Sequence, residues 1–173
     1  MKKATKLKVF DFDGTLVDTP LPEEGKKLYK RKTGEEWPHI GWWGKPESLD
    51  MSIFDMPVVK SVIDDYEKVK EDEDAMIIMA TGRRTALASL VKQILDIKGL
   101  EFDEYHYNTG GATEVVKMRT IERILAKNPK IKDIEIWDDR LEHIPVFAEW
   151  GEKLISENKI TDFKINVVPA DRH

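Results

Sequence analysis

The stretch VFDFDGTLVDTP, Val9 to Pro20, places two aspartates one residue apart between an apolar run and a glycine. An apolar run that ends in Asp-Gly predicts a buried strand followed by a turn. Gly14 lets the backbone leave the strand at this point, so that Asp11 and Asp13 can reach the same ligand. The alternative interpretation is that both aspartates are only turn or capping residues.

Beyond this stretch, short apolar runs alternate with helical periodicities along the chain. The predicted strands cover residues 7–12, 76–80, 102–107, 131–137 and 163–168, and the predicted helices cover 57–70, 84–97, 118–126 and 141–155. Right-handed crossovers between such strands produce a parallel sheet with helices on both faces. We therefore predict a three-layer, Rossmann-like α/β fold.

The segment from about residue 19 to residue 56 departs from this alternation. Prolines, glycines and three tryptophans cluster there with polar residues and little periodicity. We interpret the segment as a small flap inserted into a single domain that covers residues 1–173. Trp42 and Trp43 either pack the core of this insertion or stack on a nucleic-acid base.

The composition excludes several classes of function. A net charge of −5 argues against a basic nucleic-acid coat, and the absence of cysteine excludes disulfides and thiolate metal sites. No apolar run approaches the roughly 18 residues of a membrane span, and no signal peptide is recognised. We expect a cytoplasmic protein with no membrane partner.

Polar side chains follow three of the predicted strands: Asp11, Asp13, Thr81, Asp138 and Asp139. The carboxyl ends of parallel strands meet at one edge of a sheet, where ligands bind. Clustered carboxylates repel one another and need a cation, and all-oxygen ligands favour Mg²⁺. Thr81 and the Asp138-Asp139 pair can also be explained as residues that start helices.

Four motifs resemble, in order, the signatures of haloacid-dehalogenase-type (HAD) phosphohydrolases. DFDGT at residues 11–15 resembles the first signature and ATGR at residues 80–83 the second. Lys117, near the start of a predicted helix, stands where the third signature has its lysine, and IWDDR at residues 136–140 resembles the fourth. Lys117 is the least distinctive of these, because several other lysines lie nearby in the sequence.

The resemblance implies a role for each catalytic residue. Asp11 would attack phosphorus and form an aspartyl-phosphate. Asp13 would protonate the leaving group and then deprotonate the attacking water. Thr81 would donate a hydrogen bond to a phosphate oxygen, and Lys117 would pair with the phosphate and with Asp11.

The resemblance also implies a Mg²⁺ site. Asp11, Asp138 and the main-chain carbonyl of Asp13 would hold the ion, and Asp139 would be a further ligand or would orient the others. Gly82, Arg83, Arg84 and Arg140 would contact the substrate, and the arginines should converge at the mouth of the site. The alternative for the arginines is an ordinary surface position, and His143 either contacts substrate or makes a single structural hydrogen bond.

Shorter stretches resemble phosphatases of nucleic-acid repair. TGRR and DDRLEHIPVFAEWG are similar to segments of polynucleotide kinase-phosphatases and of the HAD modules in Swiss Army Knife RNA repair proteins, and GWWGKPESL resembles the flap of the latter group. The substrate implied is a nucleic-acid end with a 3′-phosphate, RNA or DNA, or a nucleotide. The chain has no P-loop, so any kinase or ligase partner would be a separate protein. The alternatives are a phosphatase of small phosphometabolites or phosphoproteins and a catalytically silent binding module.

Overall fold

A computed structural model describes residues 3–169 of the chain. Five strands form one parallel sheet in the order β3-β2-β1-β4-β5. The strands are β1 Lys6–Phe10, β2 Ala75–Arg84, β3 Glu104–Asn108, β4 Asp133–Asp138 and β5 Asp162–Val167. The α/β fold predicted from the sequence is confirmed.

Five α-helices cover the two faces of this sheet. They are α1 Pro22–Thr33, α2 Lys60–Lys70, α3 Ala88–Ile97, α4 Thr113–Lys127 and α5 Ile144–Ser156. Alternate side chains of the strands enter two separate apolar cores. One core contains buried residues of α2 and α3, and the other contains those of α4 and α5. None of the helices in the described part of the chain is long and apolar enough to cross a membrane.

The central strand β1 determines where the polar residues of the opening stretch lie. Phe10 is in register with Met79 of β2 and with Trp137 of β4, and the Asp11 amide donates a hydrogen bond to the Trp137 carbonyl at 3.1 Å. The chain then turns sharply, because Gly14 adopts a positive φ of 72° and its amide bonds to the Val17 carbonyl. Asp11 and Asp138 therefore stand side by side at the carboxyl edge of the sheet.

The insertion contains a helix that the sequence did not reveal. Helix α1 lies within the segment predicted to have little periodicity, and its last turn is rich in lysine and arginine instead of apolar residues. Trp42 is 3% exposed and packs against Phe54 and Trp37, so the core-packing interpretation is correct for this tryptophan. Gly25 of α1 lies directly against the Trp42 ring.

Several predicted boundaries were wrong near the carboxyl edge of the sheet. Strand β2 continues in extended conformation through Arg84, where a helix was predicted to begin, and a 3-10 turn, Thr85–Leu87, precedes α3. The extension is held by the pairing of Arg84 with Asn108 of β3. Helix α2 begins three residues after the predicted start at Pro57, and α4 begins five residues before the predicted start at residue 118.

A substitution at Gly25 tests the packing of the insertion. A Cβ atom at this position would lie 2.1 Å from Cη2 of Trp42. We expect Gly25→Ala to lower the free energy of unfolding by about 1–3 kcal/mol, measured by urea denaturation, because overpacking outweighs the gain in helix propensity. Gly44→Ala is the matched control, since a Cβ there meets nothing within 4 Å. A stabilised Gly25→Ala protein would contradict this packing.

Candidate active site

Three carboxylates meet where β1 and β4 end. Asp11, Asp138 and Asp139 each offer one oxygen, and these oxygens all lie within 4.8 Å of one another. Asp11 and Asp138 are buried, and Asp139 is partly exposed. Three negative charges this close, with little water around them, need compensating positive charge.

Lys117 supplies part of that charge. It is the fifth residue of α4 and is buried, and its Nζ donates to Asp11 Oδ1 and to Asp138 Oδ2, both at 2.9 Å. Burial alone would lower the pKa of Lys117, but the carboxylates of Asp11 and Asp138 outweigh burial and raise it. Lys117 is therefore charged at neutral pH and is no surface lysine.

One lysine does not balance three carboxylates. Burial raises the pKa of Asp11 well above its usual range, Lys117 opposes this rise, and the charges of Asp138 and Asp139 add to it. A second cation bound by the same carboxylates would favour the ionised form of Asp11. An all-oxygen donor set with several carboxylates fits Mg²⁺, so these residues agree with the metal predicted from the sequence.

Asp13 has different hydrogen-bond partners from the three clustered carboxylates. Arg83 donates to it from Nε, at 3.0 Å to Oδ2, and from Nη2, at 2.7 Å to Oδ1. The Thr19 hydroxyl donates to Oδ1 at 2.7 Å. Two donors on one guanidinium restrict both the position and the rotation of a carboxylate, so Asp13 has a defined orientation.

Arg83 also connects Asp13 to the insertion. Its Nη1 donates to the Trp43 carbonyl at 2.8 Å and to Ser48 Oγ at 2.6 Å, and its guanidinium carbon lies 5.0 Å from the centre of the Trp43 ring. Arg83 is 2% exposed. The sequence predicted a substrate contact for Arg83, but the structure commits most of its donors to Asp13 and to the insertion.

An open cavity of about 420 Å³ lies over these groups. Its lining comprises Asp11, Asp13, Leu21, Trp43, Gly82, Arg83, Thr113, Lys117, Asp139, Arg140 and Glu142. Predicted site residues from four distant parts of the sequence thus meet at one cavity, although Thr81 and Asp138 are not among its lining residues. Gly82 is in close contact with Thr113, whose side chain occupies the space that a Cβ at position 82 would need.

The remaining predicted residues differ in their distance from the cavity. Thr81 is buried and is not among the lining residues, and its hydroxyl accepts a hydrogen bond from the Arg83 amide at 3.1 Å. Arg84 is exposed and is not among the residues that line the cavity, so its predicted substrate contact stays a prediction.

Arg140 and His143 follow β4. The Arg140 amide donates to Asp138 Oδ1 at 2.9 Å, and its side chain lies at the cavity and pairs with Glu142 at 2.8 Å. His143 is buried, with Nε2 3.1 Å from a carboxylate oxygen of Glu114, and burial and the charge of Arg140 lower its pKa. This arrangement agrees with the structural interpretation of His143, not with a substrate contact.

Sequence reasoning missed several residues that shape the site. Ser48, Thr19, Leu21 and Thr113 were not selected, and Trp43 was considered only beside Trp42. Thr19 lies within the opening stretch, six residues after Asp13. Ser48 carried no signal, because its contact with Arg83 spans 35 residues of irregular chain.

Comparison with known proteins agrees with this geometry. Residues 20–173 match the family described as HAD domain family 1 in Swiss Army Knife RNA repair proteins. Over 87% of its length the chain is 26% identical to YMR265C of Saccharomyces cerevisiae, an uncharacterized protein, and it spans only 38% of that protein. Asp11 and Asp13 precede the matched region, so the resemblance of their motif to the first HAD signature is independent of the family match.

A solved structure supports the assignment of the fold. A hydrolase of the haloacid dehalogenase-like family from Streptococcus pneumoniae superposes with a TM-score of 0.52 at 15% identity, over 95% of each chain. A HAD-superfamily hydrolase from Geobacter sulfurreducens has a TM-score of 0.49 at 10% identity, over 96% of this chain and 93% of that one.

Replacing the buried lysine tests the charge balance of the site. We expect Lys117→Met to lower the free energy of unfolding by about 3–5 kcal/mol at neutral pH, because two buried carboxylates lose their partner. The pKa of Asp11 is already raised in the folded protein, so the penalty for ionising it is full at high pH. The deficit should therefore shrink as the pH falls toward about 4.

Denaturant unfolding across this pH range, without added divalent metal, measures the effect. Lys127→Met is the matched control, because Lys127 is an exposed lysine at the end of the same helix and should change stability by less than about 1 kcal/mol. A deficit that is independent of pH would show that Lys117 acts through packing and not through charge.

Proposed function

The chain belongs to HAD domain family 1 of Swiss Army Knife RNA repair proteins, and from this premise we propose that it is a Mg²⁺-dependent phosphomonoester hydrolase that acts on 3′-phosphorylated nucleic-acid ends. The observation that carries the proposal is the separation of two carboxylates with different partners in one cavity. Asp11 is bonded to Lys117, and Asp13 is bonded to Arg83. Two such groups can perform different steps of one reaction.

Asp11 is the proposed nucleophile. Lys117 holds Oδ1 and the Thr15 hydroxyl donates to Oδ2 at 3.2 Å, so the carboxylate is oriented from two sides. One of its oxygens forms a bond to phosphorus while the bond from phosphorus to the ester oxygen breaks, which gives an aspartyl-phosphate. The positive charge of Lys117 stabilises the anionic phosphoryl group during this transfer.

Asp13 is the proposed general acid and base. In the first step, its protonated form donates the proton to the departing ester oxygen, and the product alcohol leaves. In the second step, the Asp13 carboxylate accepts a proton from the water that attacks phosphorus. Phosphate is released and the Asp11 carboxylate is restored, so the cycle is balanced.

Asp11, Asp138 and Asp139, with the main-chain carbonyl of Asp13, are the groups that would hold Mg²⁺. When bound, the ion supplies positive charge against the phosphate oxygens and the clustered carboxylates. The Thr81 hydroxyl, the Gly82 amide and the Arg140 side chain are the proposed substrate contacts near the phosphate. Gly82 and Arg140 line the cavity.

The choice of a nucleic-acid end rests on the family match and on the shape of the site. The insertion forms one wall of the cavity and includes only one α-helix, so the opening stays accessible to the end of a polymer. A free 3′-hydroxyl would be the product, and a ligase or a polymerase is the class of enzyme that consumes such an end.

A second candidate is hydrolysis of a small phosphometabolite. The cavity volume of about 420 Å³ lies in the usual range of small-molecule sites, about 300–1,000 Å³. Such a substrate would use the same carboxylates, so only the comparison of substrates distinguishes the two candidates.

The substitution Asp11→Asn tests the mechanism. Asparagine has nearly the same shape but cannot attack phosphorus, so turnover should fall by more than about 10³-fold while the protein remains folded. Phosphate release from a 3′-phosphorylated oligonucleotide is the measurement, and the thermal unfolding curve confirms folding. Asp96→Asn, at an exposed position of α3, is the control and should retain full activity.

The substrate class is tested in the same assay. The wild-type protein should hydrolyse 3′-phosphorylated RNA or DNA ends with a higher kcat/KM than sugar phosphates or nucleotides, at equal Mg²⁺ and ionic strength. A preference for sugar phosphates would support the second candidate. Turnover by Asp11→Asn close to that of the wild type would reject the mechanism for either substrate.

Metal binding can be measured without turnover. We expect Mg²⁺ at a hundred-fold excess over its Kd to raise the Tm by about 5–10 °C, because it binds only the folded protein. Asp138→Asn should abolish this shift, whereas Asp133→Asn, at the opposite end of β4, should preserve it. A full shift in the Asp138→Asn protein would place the metal elsewhere.

A further inference from the structure

We propose that Trp43 is the contact for the nucleobase of the terminal nucleotide and thereby makes the enzyme select nucleic-acid ends over other phosphate esters. This inference rests on the proposed function and names the part of the substrate that the site recognises beside the phosphate. It is carried by the exposure of Trp43 in the cavity and by its connection to Asp13 through Arg83.

The two neighbouring tryptophans of the insertion have different surroundings. Trp42 is 3% exposed and packs against Trp37 and Phe54, so it stabilises the insertion. Trp43 is 37% exposed and lines the cavity together with Leu21, which is also exposed. A tryptophan that packing does not require to be buried, in a cavity with charged catalytic groups, is suited to contact a ligand.

Trp43 is held in place before any substrate binds. Its carbonyl accepts a hydrogen bond from Arg83 Nη1 at 2.8 Å, and its ring centre lies 5.0 Å from the Arg83 guanidinium carbon. Arg83 is itself buried and also bonded to Ser48, which is fully buried. Because the Trp43 side chain is already ordered in this way, it loses little conformational entropy when a nucleobase stacks on its ring.

The proposed role of Asp13 as general acid places the leaving group near Trp43. Asp13 is the group proposed to protonate the departing ester oxygen, so the alcohol half of the substrate must lie on the Asp13 side of the phosphate. Arg83 bonds to Asp13 at 2.7 Å and contacts Trp43, which puts Trp43 on this same side. For a 3′-phosphorylated end, the departing half is the terminal nucleoside.

The chemistry of the cavity wall agrees with this placement. The insertion contributes the apolar side chains Leu21 and Trp43, whereas the segment after β4 contributes the ion pair of Arg140 and Glu142. A nucleobase has an apolar face that stacks on an indole whatever the base is. A sugar phosphate or a phosphorylated hydroxyl side chain has no comparable face, so Trp43 would discriminate against them.

Two matched oligonucleotides test the inference. Both carry a 3′-phosphate, and one has a normal terminal nucleotide while the other has an abasic terminal sugar. The wild-type protein should hydrolyse the first with a kcat/KM about ten-fold higher, in keeping with measured effects of base stacking on aromatic side chains. Trp43→Ala should reduce this ratio to about one by lowering the rate on the normal end only.

Further variants separate stacking from a structural role. Trp43→Phe keeps an aromatic face and should retain part of the preference, whereas Trp43→Leu keeps an apolar side chain without that face and should lose it. Ile40→Ala, at a fully exposed position of the same insertion, should leave the ratio unchanged. Thermal unfolding of every variant verifies that the fold is intact.

The outcomes are distinguishable. Equal losses on the normal and the abasic end would mean that Trp43 acts only by positioning Arg83 and Asp13, and would overturn the inference. A preference that survives in Trp43→Ala and Trp43→Leu would overturn it as well. If the wild-type protein hydrolyses phosphate esters without any effect of the base, this inference fails and the phosphatase activity stands. If it hydrolyses none of them, the proposed function itself fails.

Discussion

The repulsion among three carboxylates at one edge of the sheet is the constraint on which the rest of the site depends. Asp11 and Asp138 are brought together by the register of β1 and β4, and they share the buried amine of Lys117. The amine comes from a helix that lies on one face of the sheet, so the layers must pack correctly before the charges are balanced. The same contacts therefore stabilise the fold and the site, and the negative charge that Lys117 does not balance would favour a bound cation.

Arg83 provides the second connection, between the sheet and the insertion. It stands in the extended end of β2, and its guanidinium bonds to Asp13 on one side and to Trp43 and Ser48 on the other. The insertion therefore affects the catalytic groups directly, because the packing of the insertion against Arg83 determines the orientation of Asp13. Separate anchors for the two carboxylates keep their chemical environments different, as two-step transfer requires.

Most of the site residues predicted from the sequence stand near the carboxyl ends of strands, whereas Lys117 lies in helix α4. Asp11, Thr81 and Asp138 follow apolar runs, and the topology of parallel sheets brings such positions together whatever lies between them. The partnership of Arg83 with Ser48 was not predictable, because it depends on the path of an irregular loop. Helix α1 was missed because its packing face is short in apolar residues: Gly25 is its fully buried residue, and Leu28 and Tyr29 pack against the core while only partly buried.

The position of β1 in the centre of the sheet has a consequence for how the protein is made. Residues 6–10 have to pair with residues 75–79 and 133–137, and the bond from Lys117 to Asp11 spans 106 positions. During synthesis, Asp11 leaves the ribosome long before its partners exist. A strand that must wait for distant neighbours folds late and exposes unpaired backbone in the meantime. The nascent chain is therefore expected to depend on chaperones until β4 has been translated.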